Sequence, residues 1–126
     1  MRLLLDTVTF IWAMGSPERI SAKAMRLLRD PQTKRELSAI SLVEIAIKHK
    51  LGKLTYSTED VLIGISDLQL HVLPYTADHA FQIFRLPVHH ADPFDRQIIA
   101  QAVSEEIPVV TSDQKFKLYK EVQVIW

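Results

Sequence analysis

Apolar and polar positions alternate along this chain in short blocks, and most blocks read as one element each. Arg2 to Leu5 is a brief apolar run that ends on Asp6, the pattern of a buried strand. Thr7 to Met14 continues as a short helix. Ser16-Pro17 reads as a helix start, with serine as cap and proline in the first turn. That helix is expected to run to about Arg29, where Asp30-Pro31 ends it. Leu37 to Ile40 predicts a second strand. Ser41 then caps an apolar helix through about Leu51, with Gly52 as its stop. Thr58 starts a helix to about Leu68, and His71 to Leu73 is a short strand before Pro74. Thr76 caps a helix through about Phe84, in which Phe81 and Phe84 have helical spacing and read as core. Pro87 to Ala91 is a loop, and Asp92-Pro93 opens a strongly apolar helix through about Val103. Pro108 to Thr111 is a strand, Asp113 opens a short helix, and Val122 to Trp126 is a final strand.

Strands thus alternate with helices, which predicts an α/β fold with a parallel sheet covered by helices on both faces. No repeat, linker or low-complexity stretch divides the chain, so residues 1–126 are expected to form one domain. Hydrophobic residues make up 48%, enough for a packed core rather than a disordered tail. Fifteen basic residues balance fifteen acidic ones, so nucleic-acid binding would need a local patch, not net charge. The absence of cysteine excludes disulfides, thiolate metal sites and cysteine nucleophiles. Asp6 interrupts the first apolar run too early for a signal peptide, and no stretch approaches a membrane span. The expectation is a cytoplasmic protein without membrane contact.

The positions of certain acids carry the chemistry. Asp6 follows the first strand, and Asp113 follows Val109-Val110-Thr111. Glu44 and Asp95 fall just inside helices. In a parallel sheet the strand ends that feed helices share one edge, and ligands bind where strand order reverses. Acids distant in sequence can meet there. Two negative charges ~4 Å apart repel by roughly 4 kcal/mol at an effective dielectric near 20. Protons or a cation must offset that, and hard oxygen ligands favour Mg²⁺ or Mn²⁺. Capping accounts for the same residues equally simply. Ser41 and Glu44 fit a capping box, Asp92 and Asp95 repeat its spacing, and Asp113 can itself be a cap.

Taken together these segments resemble the PIN-domain ribonucleases, in particular the VapC toxins of bacterial and archaeal toxin–antitoxin pairs. The segments are Leu3-Leu-Leu-Asp-Thr7, Ser38-Ala-Ile-Ser-Leu-Val-Glu-Ile-Ala-Ile-Lys48 with Leu51-Gly-Lys-Leu54, Leu86-Pro-Val-His-His-Ala-Asp-Pro-Phe-Asp-Arg96 with Ile99-Ala-Gln-Ala102, and Val110-Thr-Ser-Asp113 with Val124-Ile-Trp126. The Asp-Pro-Phe-Asp-Arg block is the most specific. The resemblance implies a three-layer PIN fold with a central parallel sheet of about five short strands. It also implies Mg²⁺- or Mn²⁺-dependent cleavage of RNA and neutralisation by a VapB-type antitoxin, in a homodimer or a toxin–antitoxin hetero-oligomer. Asp6, Glu44 and Asp113 match the first, second and last metal-binding acids. Asp95 matches the third by its spacing to the helix that follows, with Asp92 a further candidate that looks more like the cap. Val8-Thr9-Phe10 departs from the histidine and apolar residues often found after the first acid.

Around these acids, Lys48, Lys50 and Lys53 form a basic cluster with His49, and Lys23, Arg26 and Arg29 share a helix face. Such charges are either a solvated face or a hold on the RNA backbone. Arg96 reads first as an ion-pair partner of Asp95 and second as a phosphate contact. His89-His90-Ala91-Asp92 lacks the further close ligands of a zinc site, so a loop histidine bonded to Asp92 or touching RNA is preferred. Phe10 and Trp12 are core or an apolar partner surface. Ser41 and Ser112 have no histidine placed to activate them. A signalling receiver domain would want paired acids after the first strand and a mid-chain strand ending in aspartate, and neither is present. The remaining alternative is a catalytically silent PIN-type module that only binds RNA or protein.

Overall fold

The three leucines of β1, Arg2–Leu5, are buried because β1 lies at the centre of the sheet, and successive side chains of a strand face opposite sides. Leu3 and Leu5 join Phe10, Leu37, Val110 and Ile125 in one apolar cluster. Leu4 joins Ile98, Ile99, Val109, Phe116 and Tyr119 in a second. The computed structural model covers residues 1–126.

The chain runs from β1 into α1 (Thr7–Gly15), a 3₁₀ turn at Pro17–Arg19, α2 (Ala22–Arg29), β2 (Lys34–Ser38) and α3 (Ala39–Lys50). It continues through α4 (Thr58–Asp67), β3 (His71–Leu73), α5 (Ala77–Arg85), α6 (Pro93–Glu105), β4 (Val109–Val110), a 3₁₀ segment at Gln114–Leu118, and β5 (Val124–Ile125). All strands are parallel, in the order β3-β2-β1-β4-β5. This is the expected three-layer α/β arrangement. α1, α2 and α4 pack their apolar residues on the Leu3 and Leu5 face, and α5 and α6 on the Leu4 face. Gly64 lets α4 approach α1, since a Cβ there would run into Met14. Gly52 has φ +73°, the left-handed conformation that closes the turn after α3 at low cost.

Strand order reverses between β1 and β4. β2 and β3 extend the sheet to one side of β1, whereas β4 and β5 extend it to the other. The registers Leu5↔Val110 and Leu5↔Leu37 bring the ends of the three central strands level. Asp6, Thr111 and Ser38 therefore follow one another along a single edge.

Three local expectations change. β2 ends at Ser38, which also caps α3 by accepting from the Ile40 amide, so Ser41 is not the cap. An unbroken apolar run fits strand and helix alike, and only sheet pairing locates the switch. Ser41 is instead buried in the first turn, where its Oγ accepts from Thr7 Oγ1 at 2.9 Å. The expected helix from Pro17 to Arg29 is broken. Pro17–Arg19 is only a 3₁₀ turn, Ile20 is extended and buried, and Ser21 restarts the helix by accepting from the Ala24 amide. Phe81 and Phe84 are not core. α5 buries His79 against α6 and turns both phenylalanines outward, Phe84 being 87% exposed. A helical stripe of apolar residues specifies a face without specifying which way it points.

Candidate metal centre

The edge at the β1/β4 switch carries Asp6 because the strand stops there. Asp6 is the N-cap of α1, and its Oδ1 accepts from the Thr9 amide at 2.8 Å. Its Oδ2 accepts from Thr111 Oγ1 at 2.6 Å. Thr9 Oγ1 in turn donates to the Val110 carbonyl at 3.0 Å. The carboxyl is thus fixed between the two central strands and buried. Burial raises its pKa, and the charge of Asp113 adds to the rise; the bonds from Thr111 and Thr9 oppose it. Thr111 and Thr9 were not singled out in the sequence. The register that places Thr111 opposite Asp6 is the signal that identifies it.

Glu44 lies in the second turn of α3 and is buried. The capping-box reading fails for it, since Ser38 and not Ser41 is the cap. Its Oε2 accepts from Lys48 Nζ at 2.6 Å, an i,i+4 ion pair on α3. Its Oε1 is buried and has no partner. Lys48 has a raised pKa, chiefly through its bond to Glu44, with the charges of Glu44, Asp92 and Asp95 adding to it.

Asp92 is exposed and caps α6, its Oδ1 accepting from the amides of Phe94 and Asp95. Asp95 does not complete a capping box. Its Oδ2 lies 3.3 Å from His90 Nε2. Its pKa is raised to about 7, first by burial and then by the charges of Asp92, Asp113, Asp6 and Glu44. Asp113 caps the 3₁₀ segment, accepting from the Lys115 amide at 2.9 Å, and stays half-buried.

His90 bonds to Asp95 rather than to Asp92, and its Nδ1 lies 2.8 Å from the Tyr119 hydroxyl. Burial lowers its pKa, although Asp92 and Asp113 pull the other way. Arg96 makes no ion pair with Asp95; its Nη1 donates to the Pro87 carbonyl at 2.8 Å and to the Tyr119 hydroxyl at 3.1 Å. The sequence marks His90 only within the His89-His90-Ala91-Asp92 loop, with Asp92 as the expected partner, and nothing in it separates Tyr119 from ordinary core residues.

The acids therefore act on one another across the switch point, but they do not form a closed chelate. No three acidic or histidine side chains are gathered tightly enough to grip an ion as the chain stands. The donor set nevertheless suits a hard divalent cation. It is all oxygen, it contains a buried carboxylate oxygen without a partner, and the charged form of Asp95 is disfavoured by burial and by neighbouring acids, a load that a cation would relieve. Lys50, the last residue of α3, and Lys53 just beyond it are exposed. Phe10 is fully buried, and Trp12 is half-buried, packed near Trp126 with the Arg19 guanidinium 4.4 Å from its ring.

This combination, a parallel sheet in the order 3-2-1-4-5 with acids along the edge where strand order reverses, defines a class. The PIN domain family model matches residues 3–122, and the chain belongs to that family. Solved structures share the fold at low identity. The VapBC2 complex of Rickettsia felis, bound to a DNA fragment from its promoter, matches with TM-score 0.76 and 19% identity, covering 99% of this chain and 98% of that one. DNA-bound VapBC of Salmonella typhimurium matches with TM-score 0.73 and 20% identity, covering 99% and 97%. VapC20 of Mycobacterium tuberculosis, a sarcin-ricin loop cleaving toxin, matches with TM-score 0.60 and 18% identity, covering 96% and 98%. No curated protein sequence matches the chain. No helix is long and apolar enough to cross a membrane.

Proposed function

We propose that this chain is the toxin of a VapBC-type pair, a ribonuclease that hydrolyses RNA phosphodiester bonds at Asp6, Glu44, Asp95 and Asp113. The observation that carries this reading is the buried Glu44 Oε1, which has no partner in the chain, beside an Asp95 carboxyl whose charged form is disfavoured by burial and by four neighbouring acids, Glu44 among them. Charges left in that state mark a site meant to receive something positive. Asp6, Glu44, Asp95 and Asp113 would hold Mg²⁺ or Mn²⁺, with Asp92 kept mainly for the helix cap. A bound divalent cation supplies an activated water and stabilises charge that develops on the phosphate. Around it, the chain's own groups have separate tasks. Thr111 and Thr9 keep Asp6 in one orientation. Lys48 balances Glu44 until the ion arrives. Lys50 and Lys53 offer exposed positive charge to the RNA backbone, which the acids alone would repel.

A VapB-type antitoxin is the partner this reading requires, and the cytoplasm the compartment. Support comes from the VapBC complexes that share the fold. One observation favours a second reading. The Lys48–Glu44 pair already neutralises one acid, as it would in a catalytically silent module that only binds RNA or protein. Incubation of the purified chain with short RNAs in Mg²⁺, Mn²⁺ or EDTA separates the two. The nuclease reading expects cleavage that requires the cation and vanishes in Asp6→Asn. RNA bound but never cut, whatever the cation, would leave the binding module.

A further inference from the structure

We infer that His90 is a positioning residue, set by Arg96 and Tyr119 to hold the Asp95 carboxylate in place for a divalent cation. The inference rests on the nuclease reading and adds to it a hydrogen-bond relay outside the acids. Its direction follows from which groups can donate. A guanidinium carries only donors, so the bond from Arg96 Nη1 at 3.1 Å makes the Tyr119 oxygen an acceptor. Arg96 is itself anchored, since the same nitrogen donates to the Pro87 carbonyl at 2.8 Å. Tyr119 is buried, and the acceptor within reach of its hydroxyl hydrogen is His90 Nδ1, 2.8 Å away. An Nδ1 that accepts carries no proton. The neutral ring then bears its hydrogen on Nε2, which faces Asp95 Oδ2 at 3.3 Å. The edge of the His89 ring against Tyr119, with centroids 4.8 Å apart, packs the tyrosine from a further side.

A neutral donor suits this place for an electrostatic reason. A lysine or arginine at Asp95 would compete with the cation for the carboxylate charge, as Lys48 does at Glu44. An imidazole N–H restricts rotation of the carboxylate and leaves its negative charge available. It commits one oxygen and leaves Oδ1 free of bonds within the chain. Partners of this kind behind a metal-binding carboxylate set orientation and basicity, and their loss typically costs about 10–100-fold in metal affinity. The relay also accounts for Arg96, which points away from Asp95 although adjacent to it in sequence.

Two measurements on the protein test this. In the metal-free protein, ¹⁵N imidazole spectra should show His90 with its proton on Nε2, and Tyr119→Phe should convert it to a mixture of tautomers. Mn²⁺ titrations, read by loss of the free-ion paramagnetic signal, should show affinity about tenfold weaker in Tyr119→Phe and in His90→Leu. His90→Gln, which can still present an N–H to Asp95, should recover to within about threefold of wild type. A merely structural role for His90 would leave Gln and Leu equally impaired. The inference is overturned if the wild-type proton is on Nδ1, if His90→Gln fails to recover, or if both other variants bind Mn²⁺ as wild type does. In that last case, loss of binding in Asp6→Asn would show that the nuclease reading stands alone. A wild-type protein that binds no Mn²⁺ would overturn both.

Discussion

Asp95→Asn should make the metal-free protein more stable at alkaline pH, by an amount that shrinks as the pH falls. The Asp95 carboxyl has its pKa raised to about 7, against about 3.9 in an unfolded chain. Between those values the folded state binds a proton that the unfolded state does not. Stability therefore falls as pH rises through that window, and the whole penalty is present above about pH 7. Three units at about 1.4 kcal/mol each give roughly 4 kcal/mol at full weight. The carboxylate keeps partial contact with solvent, and screening reduces the expected figure to about 2 kcal/mol. Asparagine retains an oxygen for the His90 N–H and carries no charge, so it removes the repulsion while keeping the bond. Urea unfolding in EDTA at pH 4 and pH 8, for wild type and variant, measures the effect. The difference between the proteins should grow by about 2 kcal/mol from pH 4 to pH 8 with unchanged urea dependence. Asp6 is one of the acids that load Asp95, so any change in its own titration when the Asp95 charge is removed belongs to the same measured difference. A difference independent of pH, or a variant less stable than wild type at pH 8, would refute the claim that these acids load one another. Added Mn²⁺ should stabilise the wild type at pH 8 and leave the variant nearly unchanged, because a ligand of the folded state raises stability by mass action.

Three other changes test neighbouring parts of the argument. Asp92→Ser should keep RNA cleavage while Asp95→Ser loses it, since serine can still cap α6; the opposite result in a metal-dependent cleavage assay would exchange the roles of the two acids. Lys48→Met should strengthen Mn²⁺ binding and weaken the metal-free fold by about 1–3 kcal/mol, because it leaves a buried Glu44 charge without its partner; calorimetry and denaturant unfolding read the two effects separately. Phe10→Ala should cost about 3–5 kcal/mol in unfolding experiments, whereas Phe84→Ser should change stability by less than about 0.5 kcal/mol, as the first ring is fully buried and the second almost wholly exposed.

Periodicity and turn chemistry along the chain were enough to determine the alternation of strand and helix, and with it the parallel sheet. These are local properties. Asp92-Pro93 caps its helix whatever lies around it, and Thr76 and Gly52 mark their boundaries in the same way. The acids stood out because strand ends in such a sheet share an edge. Tertiary structure decided what local pattern leaves open. The pairing of β2 with β1 fixed where the strand stops, which made Ser38 the cap and put Ser41 under Thr7. The direction in which α5 faces sent Phe81 and Phe84 to solvent, since their spacing is the same on either side of a helix. The register of β1 against β4 supplied Thr111 to Asp6 across 105 positions of sequence. Tyr119, Arg96, His90 and Asp95 became one hydrogen-bond relay because the chain after β4 folds back over the start of α6. Spacing along a chain sets which face a residue occupies. Its partner is set by sheet order and register, and these exist only once distant segments have packed.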